Sequence, residues 1–290
     1  MRYAFIRTNS TVWAVLWLCR LLEVHPSGYY AWLKQPYSAR TIVNQRLTGL
    51  IKQFWLQSGA VYGYRKIHCD LRDVGEQCGQ NRVYRLLRAV GLPAQVGYRR
   101  PGHRSGPSNG LAPNRLQHKF EVANPNDTWV ADITHIRTYQ GWLYLAVVID
   151  LYSRKMVGWS MHSRIKKELV LNALLMAIWC RKPDSWVTVH FDQGSQYTSH
   201  GWPCFLKASN LQASVSRRRN CHDNAVAKSF FQLLKRERIK RQLYLTRDDA
   251  RRDVVDYVEM FYNNRRRHGF NEMLSPVEYE KRFTEQLVSA

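Results

Sequence analysis

The sequence predicts an α/β chain: a helical front, a mixed strand-and-helix core and further helices at the end. Three observations carry this. Apolar residues recur at three-to-four spacing through most of the first hundred positions. A basic Gly/Pro stretch at 97–118 holds four Gly, three Pro, four Arg and no acid. After it the apolar pattern changes to strands alternating with helices.

The elements follow in order. Positions 12–24 and 41–55 carry helical apolar spacing, and 12–24 reads as a buried helix. His25-Pro26-Ser27-Gly28 breaks the pattern and Tyr29–Leu33 resumes it. Two short helices begin near Tyr62 and Gln80, the second rich in Arg and ending at Gly91. A short helix, a Gly-containing break and a basic helix fit a helix-turn-helix, or an ordinary helical bundle with a solvated basic face. Past the linker, 129–136, 142–149 and 155–160 read as strands, with a hairpin turn at Gln140-Gly141. The second strand is apolar on both faces, as a central strand would be. A helix at 168–180, a strand at 186–190, a helix at 200–209, a strand at 212–215 and a helix at 224–241 complete the core. A last helix runs from about Thr246 into Arg265-Arg266-Arg267-His268. The boundaries are therefore 1–96 (helical), 97–118 (linker), 119–245 (core) and 246–290 (C-terminal extension).

Charge narrows the function. Lys and Arg total 44 and Asp and Glu 22, a net charge of +22. That balance favours a polyanionic partner. Hydrophobic content of 45 % excludes a disordered basic tail. The apolar run after Arg7 is too short to span a bilayer, and Arg20 follows it at once. Six cysteines form no CxxC pair and no zinc spacing with the histidines, so reduced thiols in a cytoplasmic protein are expected.

Two carboxylates stand out. Asp132 interrupts a core strand, and Asp192 directly follows the end of another. Such groups are costly unless paired or bound to a cation. On adjacent strands they would suit Mg2+, a hard ion with oxygen ligands, and a metal pair can serve phosphoryl transfer. The alternative is that both are turn or cap residues.

Several motifs then carry a resemblance. They are His190-Phe191-Asp192-Gln193-Gly194-Ser195-Gln196-Tyr197, Ser214-Val215-Ser216-Arg217-Arg218-Arg219-Asn220-Cys221-His222-Asp223-Asn224-Ala225, and Trp129-Val130-Ala131-Asp132-Ile133-Thr134. Gly141–Leu151, Tyr262-Asn263-Asn264-Arg265, Leu274-Ser275-Pro276, Ser27-Gly28-Tyr29-Tyr30 and Tyr62-Gly63-Tyr64-Arg65 extend the set over nearly the whole chain. In this order they resemble the second open-reading-frame product of an IS-three-type bacterial insertion sequence, a transposase. The resemblance implies an RNase H-like core of the retroviral-integrase kind. It implies cutting and joining of DNA at element ends by an Asp-Asp-Glu triad with two Mg2+ or Mn2+ ions. It also implies a nucleoid-associated bacterial protein, homo-oligomers on paired DNA ends, and fusion to an upstream frame.

Asp132 and Asp192 match the first two members of that triad. The third, a Glu in the family, falls at Lys228, with thirty-five residues between it and Asp192. Lysine has three donors and no acceptor, so it cannot ligate Mg2+, and its charge repels the dications. Glu237 lies nine positions on, a rotation of about 900° that turns it to the opposite helix face. Asp223 reads as a helix cap. Asp150 ends the strand that pairs with Asp132's strand, and hairpin register decides whether it can substitute.

Basic residues complete the expected site. Between Arg217 and Arg241 nine basic residues face two acidic ones. A DNA track through Arg217, Arg218, Arg219, Lys235 and Arg236 competes with a merely solvated helix face. Arg99 and Arg100 of the linker, Arg265, Arg266 and Arg267, and Arg65, Lys66, Arg82 and Arg85 of the helical front join the expected double-stranded DNA contacts. Two functions remain open: a metal-dependent transposase, or a catalytically dead DNA-binding protein that inhibits active copies.

Overall fold

The structure is a computed structural model; it describes residues 2–94, 122–191, 201–215 and 224–289, with backbone alone at 201–204 and 215. The chain divides into two compact units, Met1–Ala94 and Gln95–Ala290.

The first unit is all helical: α1 (Arg2–Asn9), α2 (Val15–Leu21), α3 (Pro26–Lys34), α4 (Ala39–Gln57), α5 (Tyr64–Asp73) and α6 (Gln80–Ala89). The single buried helix expected over 12–24 is corrected here. Only Leu18 and Cys19 of α2 are buried, while Val12, Trp13, Leu16, Trp17 and Leu21 are exposed. A two-turn helix buries one narrow stripe, which here meets Ile6 and Tyr29. Pro26 starts α3, where its missing N–H costs nothing. Leu47, Ile51, Ile67, Leu71, Val83 and Leu87 form the buried positions of α4, α5 and α6, spaced four apart on each helix. Gly75, at φ +84°, makes the bend that ends α5. Arg82 holds Asn44 through two hydrogen bonds of 2.9 and 2.7 Å, tying α6 to α4.

The second unit is built on a five-stranded sheet. Its strands are β1 (Thr128–Thr138), β2 (Gly141–Asp150), β3 (Met156–His162), β4 (Val187–Phe191) and β5 (Leu211–Val215), in the order β3-β2-β1-β4-β5. β1, β2 and β3 are antiparallel neighbours, whereas β4 joins β1, and β5 joins β4, in parallel. Every strand and helix expected between 129 and 241 is present. Tyr139-Gln140 turn the hairpin, and Gly141 takes φ +114°.

The period of two along each strand divides the sheet into two faces. Trp129 and Ala131 of β1, Ala146 and Val148 of β2, and Val187, Val189 and Phe191 of β4 pack beneath α7 (Lys167–Arg181) and Leu206 of α8 (Gly201–Ala208). Gly158 sits at the tightest point of this layer. A Cβ there would stand 2.1 Å from the Ala173 carbonyl oxygen and 2.8 Å from the Ala177 nitrogen. Helix backbone cannot rotate aside, so Gly158→Ala should destabilise the unit by at least about 3 kcal/mol, measured by urea unfolding. Wild-type stability in that variant would show that α7 can lift off β3.

The other face is covered by α9 (Ala225–Glu237) and α10 (Arg247–Val255). A π-helical stretch (Asp256–Tyr262) continues α10, and a further helix absent from the sequence reading, α11 (Pro276–Ser289), follows. The C-terminal segment is fastened to the β2–β3 connection. Asn263 exchanges two hydrogen bonds with the Met156 backbone, at 2.9 and 3.0 Å. Asn271 donates to the Ser153 carbonyl (2.6 Å), and Tyr262 to that of Arg154 (3.0 Å). Glu280 of α11 accepts from Ser153, Lys155 and Arg181. The Tyr262-Asn263 motif thus caps an edge strand with a phenol hydroxyl and a side-chain amide.

Candidate active site

Asp132 lies at the middle of β1, the centre of the sheet, opposite Val147 of β2. It shares a face with Val130 and Thr134, away from the α7 layer. It is half-buried, and its Oδ1 accepts from the Ile133 amide at 2.8 Å.

α9 brings position 228 to this place. Asn224, just before the helix, is 1 % exposed and donates through Nδ2 to the Ala131 carbonyl at 3.2 Å. The start of α9 is therefore pinned to the residue beside Asp132. Lys228 is one turn on, its amide bonded to the Asn224 carbonyl at 3.1 Å. Positions i and i+4 share a helix face, and side chains lean toward the helix N-terminus. The Lys228 stem therefore leans back toward Asn224 and β1. Ala227, Phe230, Phe231 and Leu234 of α9 are buried, which fixes its rotation.

The possible substitutes for a third carboxylate are excluded by register and by prior commitment. Asp150 pairs with Trp129, three residues from Asp132, and so points to the opposite face. It is fully buried and accepts from the amides of Asn126 and Tyr152, each at 2.8 Å, with Arg181 at 3.8 Å. Burial pushes its carboxyl up to about 6, against the pull of the Asn126 amide and Arg181. Glu237, turned away as its spacing implied, is 2 % exposed. It accepts two bonds from Arg266, at 2.9 and 2.7 Å, and one from the Tyr257 hydroxyl at 2.7 Å. Asp192 and Asp223 lie outside the described residues. Among the described residues no three His, Cys, Asp or Glu side chains gather as a metal site. Among the described residues of this place, Asp132 offers one carboxylate and the Lys228 ammonium offers no ligand to a divalent ion.

The raised Asp150 group has a consequence of defined sign. Below the ordinary carboxylate range both folded and unfolded chains hold its proton. As pH rises from 3.8 to about 6 the unfolded chain releases it first, so this residue's contribution to stability falls across that window. The difference in urea midpoint between wild type and Asp150→Asn should therefore change between pH 4 and 6 and level off above. A constant difference would refute the assignment.

The basic residues expected on DNA differ in what they touch. Arg65, Arg85 and Arg265 are exposed. Lys66 is half-buried over the Tyr62 ring, Arg82 is held by Asn44, and Arg267 donates to the Met273 carbonyl at 3.0 Å. Lys235 is half-buried, its pKa lowered by desolvation and by Lys240, and Arg236 lies 3.7 Å from Glu237. Arg266 is corrected. It is 5 % exposed, and its guanidinium is spent on Glu237, so it faces the interior rather than a phosphate. Burial would lower its pKa, but the Glu237 carboxylate outweighs this and raises it. Arg99, Arg100, Arg217, Arg218 and Arg219 lie outside the described residues. Asn224 and Asn263 were missed as site and scaffold residues. Their only signal was an amide beside a motif otherwise read for its charges.

Similar proteins account for this arrangement. An integrase core domain model matches residues 122–221, a second integrase core domain model matches 228–283, and an HTH-like domain model matches 43–101. The last range takes in α5 and α6. Transposase InsF for insertion sequence IS3A of Escherichia coli (strain K12) is 37% identical over 286 residues, 97% of this chain and 99% of that one. The insertion element IS600 uncharacterized 31 kDa protein of Shigella sonnei is 34% identical over 267 residues, 92% of this chain and 98% of that one. The HTLV-2 integrase catalytic core domain, in complex with magnesium, overlays with a TM-score of 0.42 at 16% identity, covering 54% of this chain and 97% of that one. Among the described residues no helix is long and apolar enough to cross a membrane. With an HTH-like front, an integrase core and near-full-length identity above one third, the chain belongs to the IS3 family of insertion-sequence transposases.

Proposed function

We propose that this chain binds the double-stranded DNA at the ends of its insertion sequence and that Lys228 leaves it unable to cut there. The observation that supports this is the Asn224-to-Ala131 bond, which holds the start of α9, one turn before Lys228, against the residue next to Asp132. In an Asp-Asp-Glu centre a divalent pair would activate the attacking oxygen and stabilise the leaving one. Asp132 would be one ligand and Asp192 a second. The position-228 ammonium supplies no ligand and opposes the ions.

What remains is binding. Arg65 and Arg85 of the helical front and Arg265 of the C-terminal extension are exposed cations suited to phosphate contacts. Such a chain, assembling with active copies on paired ends or fused to the upstream frame, would act as an inhibitor of transposition. The test adds this chain to an active IS3-family transposase and counts excision. Suppression that depends on DNA binding supports the reading, and efficient cutting by the unmodified chain with Mg2+ or Mn2+ overturns it.

A further inference from the structure

We propose that the hairpin end of the sheet, on the face that carries α7, binds single-stranded DNA by stacking its bases on Trp142 and the rings beside it. This surface lies on the opposite face from Asp132, and the proposal stands whether or not position 228 permits cutting.

The surface exists because the sheet outruns its cover. β1 and β2 meet at the turn between Thr138 and Gly141, whereas α7 starts only at Lys167, after β3 has ended at His162 opposite Tyr144. Ile133 and Tyr144, both half-buried, still pack against the layer beneath α7. Side chains alternate between faces, so the next positions on this face are His135 and Arg137 of β1 and Trp142 of β2. His135 pairs with Tyr144, and Arg137 with Trp142. His135 and Arg137 are exposed, and Trp142 is 45 % exposed.

Two properties fit this patch to nucleic acid rather than to an apolar partner. It is made of rings: His135 and Trp142 stand perpendicular with 4.9 Å between centroids, which holds the indole in place. Its surroundings are basic. Among the described residues the Arg137 guanidinium has no hydrogen bond or ion pair. The exposed connection that leaves His162 carries Arg164, Lys166 and Lys167 against one acid, Glu168. The platform is also built in advance. Arg247 donates to the carbonyls of Gln140 and Trp142, at 2.8 and 3.1 Å, and so fixes the turn that presents the indole. Stacking on rings reads no sequence, because every base has a π-face, but it requires bases that are unpaired. A duplex hides those faces. The ligand is therefore a DNA strand parted from its complement.

The experiment uses the full chain with Trp142→Ala, Trp142→Phe and Arg137→Ala, each checked for folding by circular dichroism. The probe is a labelled oligo-dT of about a dozen nucleotides, within the span of one stacking site. An oligo-rU and a duplex of the same length are measured beside it. Trp142→Ala should bind oligo-dT about tenfold more weakly, the loss of one stacked base, while Trp142→Phe keeps most of the affinity. Arg137→Ala should lower the salt slope by about 0.7, one phosphate of a single strand. Duplex affinity should be the same in all four proteins. Equal oligo-dT affinity for the unmodified chain and Trp142→Ala overturns the proposal. An equal loss on the duplex also overturns it, since the face would then be a backbone track. A tighter grip on oligo-rU than on oligo-dT overturns it in favour of RNA.

Discussion

Lys228→Glu should nick an element-end duplex at least about a hundredfold faster than the unmodified chain in Mg2+ or Mn2+, with the upstream frame present. The effect is large because the substitution acts twice. It removes a positive charge beside Asp132, and it supplies the carboxylate that the metal pair lacks. α9 is already pinned by Asn224 and by buried Ala227, Phe230, Phe231 and Leu234, so the new side chain enters without repacking. Lys228→Gln, neutral and without a carboxylate, should stay inactive. If the unmodified chain and Lys228→Glu cut equally, position 228 is not the third ligand. Asp150 could not then be invoked, because it lies on the other face of the sheet and is held by two backbone amides.

Arg266→Ala should lower stability by about 3–5 kcal/mol, whereas its neighbour Arg265→Ala should leave stability unchanged. The reason is what each guanidinium touches. Arg266 makes two bonds to Glu237, itself 2 % exposed, and its removal strands a carboxylate against α9 and the π-helical stretch. The Tyr257 hydroxyl still donates to Glu237 and Arg236 stands 3.7 Å away, but neither replaces the two charge-assisted bonds of Arg266. For a unit of this size the loss lowers Tm by about 10 °C. Arg265 is exposed, so its truncation should instead reduce the salt slope of DNA binding by about one phosphate. Calorimetry and a salt titration on both variants separate the two roles. A matching Tm for wild type and Arg266→Ala would mean that Glu237 is not held by Arg266 in solution.

Much of this molecule was legible from residues alone. Strands β1 to β5 and helices α3 to α9 follow from two periods, two and 3.6, because burial on one face imposes them. The nine-residue spacing from Lys228 correctly turned Glu237 away. The helix at 12–24 misled, since its apolar residues mostly face outward and only Leu18 and Cys19 meet a partner. Composition could not separate an apolar surface from an apolar core, because the difference is made by neighbours remote in sequence.

Residue identity and local spacing were enough for the family, the element order and the departure at Lys228. Tertiary structure decided three other matters. The β1–β2 register put Asp150 on the face opposite Asp132, because one step along a strand reverses the side chain. The Asn224 bond to Ala131 set position 228 beside β1. Arg266, in the middle of three consecutive arginines, found the buried carboxylate of Glu237. Each of these joins residues far apart in the chain, and only packing brings such pairs within hydrogen-bonding distance.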